Sequence, residues 1–351
     1  MEDQITQIAK QAINDKVFPG CIVGVVKING ERTMLPFGTF TYDSDSLEIK
    51  EDTIFDVASL TKSIVAGALA LKLIDEGKLS LNDKLIDYIP EFRNSDRDNV
   101  FIKHLLTYTL DGYGLASLGK KTPNELMEYV MTHDFEKRPG EVFKYTNIPA
   151  ALLGLVVEKI YEETLDNLAD KYFFEPLKME RTTFHPGKFS LNEIVPTEID
   201  HRGLVHGVVH DESAWILKTK ANKVIGHAGL FSTAPDILNF LEMLLNRGML
   251  NNRKYFSQKI IEQMHTNQIE ELGDYTGLGW ELYQPRYMGK NSTPHTFGKT
   301  GFTGCLCICD INKGVAYVIL SNRIYPKRPK DSTAINAFRA SIGDIVWEDQ
   351  K

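Results

Sequence analysis

The stretch Asp56-Val57-Ala58-Ser59-Leu60-Thr61-Lys62-Ser63-Ile64 sets a hydroxyl and an amine three residues apart, where an apolar, alanine-rich run begins. That spacing turns both side chains to one face of a helix. A serine hydroxyl is a weak nucleophile at neutral pH until a base takes its proton, and a lysine whose pKa falls on burial can be that base. The run that follows, Ile64-Val65-Ala66-Gly67-Ala68-Leu69-Ala70-Leu71-Lys72-Leu73-Ile74, predicts a helix buried on most sides and stopped by Gly77. Taken alone, the pair also reads as a capped helix start. A second Ser-x-x-Lys, Ser117 with Lys120, lies among Gly112, Gly114 and Gly119 and opens no such helix.

Outward from this stretch, the two ends of the chain read as sheet and the middle as helix. Towards the N-terminus, residues 3 to 16 predict a helix, and Cys21 to Ile28 is a β-branched run turned at Asn29-Gly30 into a returning strand from Arg32 to Gly38. From Leu79 to Lys178 the periodicity is mainly helical, with Thr122-Pro123 as a helix start and further helices over Ile148 to Tyr161 and Thr164 to Phe174. Residues 180 to 226 lack clear periodicity and are expected to be site walls or lids. Pro235 opens an amphipathic helix, and strands follow at Leu278 to Leu282, His295 to Lys299, Phe302 to Asp310 and Val315 to Leu320. A last helix is predicted from Ser332 to Trp347.

With 351 residues and a net charge of −7, the chain can bury a large core and has no overall basic character of the kind a nucleic-acid surface needs. The short Lys327-Arg328-Pro329-Lys330 run is expected to be a solvated loop. The start, Met1-Glu2-Asp3-Gln4, is acidic and unlike a secretory signal, and no apolar stretch approaches the length of a membrane span, so a cytoplasmic protein without membrane partners is expected. Cys305, Cys307 and Cys309 alternate along a strand and share one sheet face. Parallel thiols on a flat strand do not converge on a metal, so they read, with Cys21, as small buried residues of a reducing compartment.

Two further motifs change the meaning of the first. Arg138 to Asn147 contains the chain's one Tyr-x-Asn, Tyr145-Thr146-Asn147, and Gly298 to Gly304 contains its one Lys-Thr-Gly, Lys299-Thr300-Gly301. Ser-x-x-Lys, Tyr-x-Asn and Lys-Thr-Gly in that order, the last on a strand near the C-terminal end, resemble the serine β-lactamase and penicillin-binding-protein superfamily, and its class C-related branch of esterases and peptidases in particular. Supporting stretches include Val205 to Glu212, Gly226 to Thr233 and Leu320 to Arg323.

The resemblance implies an α+β, β-lactamase/transpeptidase-like fold: an antiparallel sheet flanked by helices, with an inserted helical lobe. Residues 1–58 and 215–351 would form the α/β lobe, and 59–214 the mainly helical lobe with its irregular site wall. It implies a serine hydrolase that forms an acyl-enzyme on a small ester, amide or peptide substrate. Ser59 would be the nucleophile, with Lys62 and Tyr145 sharing the proton transfers, and the amides of Ser59 and Phe302 would form the oxyanion hole. Asn147 would bond the substrate's amide or ester group, Lys299 and Thr300 would attract a carboxylate, and Gly301 would permit close backbone approach. No metal or organic cofactor is implied, since acyl-enzyme chemistry needs only side chains and water. Acyl transfer through the same intermediate, a stalled penicillin-recognising sensor and a true class C β-lactamase remain as alternatives.

Some positions depart from the pattern. Many esterase-like relatives carry histidine where this chain has Lys299, which leans the reading towards carboxylate-bearing substrates. Tyr108 and Leu110 replace a usual histidine and serine. His206, His210 and His227 stay open between catalytic bases and loop-holding residues.

Overall fold

The computed structural model describes all residues except 94–96, 113–114, 116–121, 133–134 and 350–351. The Ser117 and Lys120 pair lies outside the described residues.

Apolar runs from both chain ends pair into one seven-stranded antiparallel sheet. Its strands are β1 (Gly20–Lys27), β2 (Arg32–Gly38), β3 (Thr276–Gly277), β4 (Trp280–Leu282), β5 (Phe297–Thr300), β6 (Leu306–Asp310) and β7 (Val315–Ser321), in the order β2-β1-β7-β6-β5-β4-β3. The N- and C-terminal portions meet where β1 pairs with β7, Gly24 lying opposite Val318. These central strands are buried on both faces, which is why they read as continuous apolar runs and not as alternation.

Helices cover both faces of the sheet. On one face lie α1 (Glu2–Asn14) and the C-terminal helix Thr333–Glu348, tied down by Phe338 against Phe18 and by Trp347 against Tyr317. On the other face lie α2, which spans residues 60–75, and Ala234–Leu245. Ile148–Tyr161 packs against α2 and is apolar almost all round, as a helix enclosed by its neighbours must be. Leu60, Ile64, Val65, Leu69, Leu71 and Leu73 of α2 are fully buried, each contributing roughly 1.5–3 kcal/mol of transfer free energy. The helix that carries the Ser-x-x-Lys pair is therefore fixed at the centre of the core.

Sequence expectations change here. The strand expected from Phe302 starts only at Leu306: the Gly301 N–H donates to the Cys305 carbonyl at 2.7 Å, folding residues 301–305 into a turn in which Gly304 has φ +125°. The unassigned stretch 180–226 contains a two-stranded ribbon, Glu198–Asp200 with Gly203–Val205, and the helix Glu212–Ala221. That helix buries only Ser213, Ala214, Ile216 and Leu217 and carries two lysines in its last turn, so its apolar face is too narrow to stand out. Lys327-Arg328-Pro329-Lys330 is an exposed loop, as expected, and from it Arg328 reaches back to clasp the Glu198 carboxylate with Nε and Nη2, both at 2.8 Å at closest.

Cys305, Cys307 and Cys309 join the core on the α2 side while Leu306 and Ile308 join the opposite core, and all four cysteines are free and buried. Among the described residues no helix is long and apolar enough to cross a membrane.

Candidate active site

The segment that carries Ser59 is gripped before α2 begins. Phe55–Asp56 pairs with Phe231–Ser232, and the buried Asp56 carboxylate accepts from the Ala58 N–H at 2.8 Å and from the His210 N–H at 2.7 Å. Ala58 is thereby held at φ +47°, a left-handed conformation costly for a residue with a Cβ. That sharp bend leaves Ser59 immediately before α2, open to a cleft. The first part of α2, Lys62–Gly67, is wound as a π-helix, a widening found often at functional sites.

Lys62 is 1 % exposed, and its Nζ lies 2.7 Å from Ser59 Oγ and 2.8 Å from the His227 carbonyl oxygen. Burial, and then the charge of Lys299, pull its pKa down to about 7, against the opposing pull of Asp211 and Glu281. Lys299 comes from β5 and is fully buried. Its Nζ sits 4.1 Å from the ring centres of both Tyr108 and Tyr145 and 3.8 Å from Glu281. Burial lowers its pKa to about 8, and Glu281 limits the fall.

Tyr145 packs beside Tyr108, with Lys62 Nζ 5.3 Å from its ring centre. The two lysines thus flank its ring. Its phenol pKa is nevertheless raised, by burial first and by Glu281 and Asp211 after it, while Ser59 pulls it down. Tyr145 as a residue is 40 % exposed and lines the cleft, where water limits the rise without changing its direction.

Ser59, Tyr145, Asn147, Thr300, Gly301 and Phe302 line one cleft of about 340 Å³, and Lys62 and Lys299 lie just beneath its floor. All eight motif residues thus converge. Gly301 is required by space: a Cβ there would lie 2.5 Å from the Val57 carbonyl oxygen. Among the described residues, neither the Ser59 nor the Phe302 backbone N–H has a hydrogen-bond acceptor.

Other residues of the site carried no signal in the motifs. Arg339, 3 % exposed, donates to the Gly301 and Cys305 carbonyls at 3.1 and 2.8 Å, and Arg323 donates to the Phe302 carbonyl at 3.0 Å. They hold the turn that presents the Phe302 N–H. Asp211 caps the helix Glu212–Ala221 and accepts from Asn147 Nδ2 at 3.5 Å. Burial raises its pKa, but His227, Ser213 and the Ala214 N–H outweigh that and hold the carboxyl well below the usual range. Glu281 had one visible signal, an acid inside the apolar run Leu278 to Leu282.

The histidines hold the walls. The buried His210 ring bonds Glu198 at 2.8 Å and stacks on Phe302. His227 bonds Asp211 at 3.1 Å and Ser213 at 3.0 Å, and His206 reaches the Ile194 carbonyl at 2.7 Å.

A model of the beta-lactamase family matches residues 5–340. The chain belongs to the beta-lactamase family. Members of this family are serine hydrolases. A Salmonella agona protein provisionally named a D-alanyl-D-alanine carboxypeptidase is 29 % identical over 319 residues, covering 81 % of this chain and 72 % of that one. Simvastatin synthase (LovD) from Aspergillus terreus, as its LovD6 mutant, superposes with a TM-score of 0.77 at 16 % identity, over 99 % of this chain and 96 % of that one. EstCE1, a hydrolase with promiscuous acyltransferase activity, superposes with a TM-score of 0.76 at 19 % identity, over 99 % and 98 %. At these identities the two structures establish the family's β-lactamase/transpeptidase-like fold, with its antiparallel sheet between helices, and nothing about substrate.

Proposed function

We propose that this beta-lactamase-family chain is a serine hydrolase that acylates Ser59 with a small ester, amide or peptide substrate bearing a carboxylate. The observation that carries the reading is the contact of 2.7 Å between Lys62 Nζ and Ser59 Oγ, in a setting that pulls the amine's pKa to about 7. About half of such an amine is neutral at pH 7. The neutral amine keeps an N–H on the His227 carbonyl and turns its lone pair to the Ser59 hydroxyl. It takes the hydroxyl proton as Oγ attacks the substrate carbonyl.

The developing oxyanion accepts from the Ser59 N–H, set by the bend at Ala58, and from the Phe302 N–H, set by the turn that Arg323 and Arg339 hold. Tyr145, with its raised pKa, stays a neutral phenol and passes a proton from Lys62 to the leaving group. Its Oη–H is renewed from the lysine side, so no phenolate persists. Lys299 supplies positive charge beside Thr300, the position suited to a substrate carboxylate, while Asn147 donates to the scissile amide or ester. Water then enters where the leaving group departed and reverses the relay to free Ser59. The name of the Salmonella relative suits a peptide ending in a carboxylate, and the EstCE1 description suits transfer to an alcohol or amine as a second fate of the same acyl-enzyme.

The test is intact-mass analysis with a fluorophosphonate, a p-nitrophenyl ester, a D-alanyl-D-alanine peptide and a penicillin in turn. A stoichiometric adduct on Ser59 with release is expected, and absence of any adduct would sink the assignment. A stalled adduct would indicate a sensor, and faster release with an added alcohol would indicate transfer.

A further inference from the structure

A second cavity, of about 350 Å³, lies behind the wall of the cleft, and Phe184, Val209, Trp215, Val224, Ile225 and Phe231 make its sides apolar. It matches the cleft in size, and both fall within the range of small-molecule sites. Ala228 is the one lining residue the two share. The turn from Asp211 to Ala214, with His227, separates them.

The charged groups around this cavity are of one kind. Lys188, Lys218 and Lys223 line it beside His185, with no carboxylate among the lining residues. The acids that partner them lie outside: Glu158 is 3.7 Å from Lys223, and Asp166 is 2.7 Å from His185 Nε2. His185 donates from Nε2 to Asp166 and accepts from Lys218 Nζ at Nδ1, at 3.1 Å. Bonds to both ring nitrogens in these senses describe a neutral imidazole. Lys218 therefore spends one of its three N–H donors on His185 and keeps two for the mouth of the cavity.

We propose that this cavity is a second ligand site, for an apolar carboxylate: a saturated chain lies against Phe184, Trp215 and Phe231, and its carboxylate rests on Lys218 and Lys223. Apolar walls alone would take a neutral chain equally well, and the all-cationic rim adds the preference for an anion. The inference does not depend on the acylation of Ser59.

Decanoate titrated into the full chain, with decanol as the uncharged control, tests this by tryptophan fluorescence. Trp215 lines the cavity, whereas Trp280 and Trp347 are fully buried elsewhere. A saturable change with decanoate is expected. Val208 lines this cavity and not the cleft, and is 41 % exposed, so Val208→Asp sets a like charge at the mouth without opening the core. Val208→Asp should weaken decanoate about tenfold. Lys218→Ala should weaken decanoate several-fold while leaving decanol unchanged. No saturable change in fluorescence or in calorimetric heat overturns the proposal, and so does decanoate binding that both variants leave intact.

Discussion

Glu281 Oε2 lies 3.8 Å from Lys299 Nζ, and the Tyr287 hydroxyl donates to the same oxygen at 2.9 Å. Lys299 has no hydrogen-bond partner for its Nζ among the described residues, so its charge rests on this carboxylate and on the faces of Tyr108 and Tyr145. Glu281→Gln keeps an acceptor for Tyr287 and removes the charge. The variant should lower the pKa of Lys299 by about one unit and shift the alkaline limb of the rate profile downward. A limb that stays in place would show that Glu281 does not position this charge.

The pH dependence of kcat/KM follows from two lysines with opposite requirements. Lys62 must be neutral to act as a base, so the rate should rise as pH passes through about 7. Lys299 must be charged to hold a carboxylate, so the rate should fall above about 8. A narrow bell is expected for a carboxylate-bearing substrate. A neutral ester should keep the acid limb and lose most of the alkaline one.

Lys62→Met should abolish acylation by two or more orders of magnitude, roughly the scale of lost general-base catalysis, and Tyr145→Phe should do so too. The same Lys62→Met variant should melt higher. Its folded-state pKa of about 7 lies below the ordinary 10.5, so the unfolded chain binds the extra proton between those values and native stability rises with pH across them. The gain from removing the lysine is therefore full below pH 7 and vanishes towards 10.5. Melting curves at pH 6.5 and pH 9.5 measure the difference, and an equal shift at both would contradict the burial account.

Gly301→Ala forces a Cβ to within 2.5 Å of the Val57 carbonyl oxygen. Backbone cannot yield as a flexible side chain does, so a stability loss of about 2 kcal/mol is expected, with a larger fall in kcat than in substrate binding as the Phe302 N–H moves. Denaturant unfolding and steady-state kinetics together check this; a fall in binding alone would mean that the oxyanion donor had not moved.

The cysteines offer a test independent of catalysis. Burial pushes the thiols of Cys305 and Cys307 up to about 11 and about 12. The native protein should resist iodoacetamide at pH 8 and take up four equivalents only after unfolding. Rapid native labelling would show that this sheet face opens.

Much of the fold was legible because its elements obey local rules. The β-branched run before Asn29-Gly30, the proline-started helix at Ala234 and the apolar Ile148–Tyr161 each carry their periodicity in a few adjacent residues. The helix Glu212–Ala221 did not, because half its turns face the surface and its cap, Asp211, serves the site as well as the helix. The turn at 301–305 read as strand because Phe302 and Thr303 are strand formers and Cys305 runs on into β6, and only the Gly301 to Cys305 bond and the arginines behind it decide otherwise.

The sequence by itself determined the family's fold and the candidate site residues, since Ser59, Lys62, Tyr145 and Lys299 stand in short motifs whose order and spacing are written along the chain. Only the tertiary structure decided their electrostatics. A pKa depends on what surrounds a group and not on what precedes it: the Lys62 pKa falls because the core buries it and distant Lys299 lies nearby, and the fall at Lys299 is limited because Glu281, eighteen positions away, is folded against it. The same holds for Arg323 and Arg339, ordinary in the sequence and placed under an oxyanion donor by the packing of the last helix on the sheet.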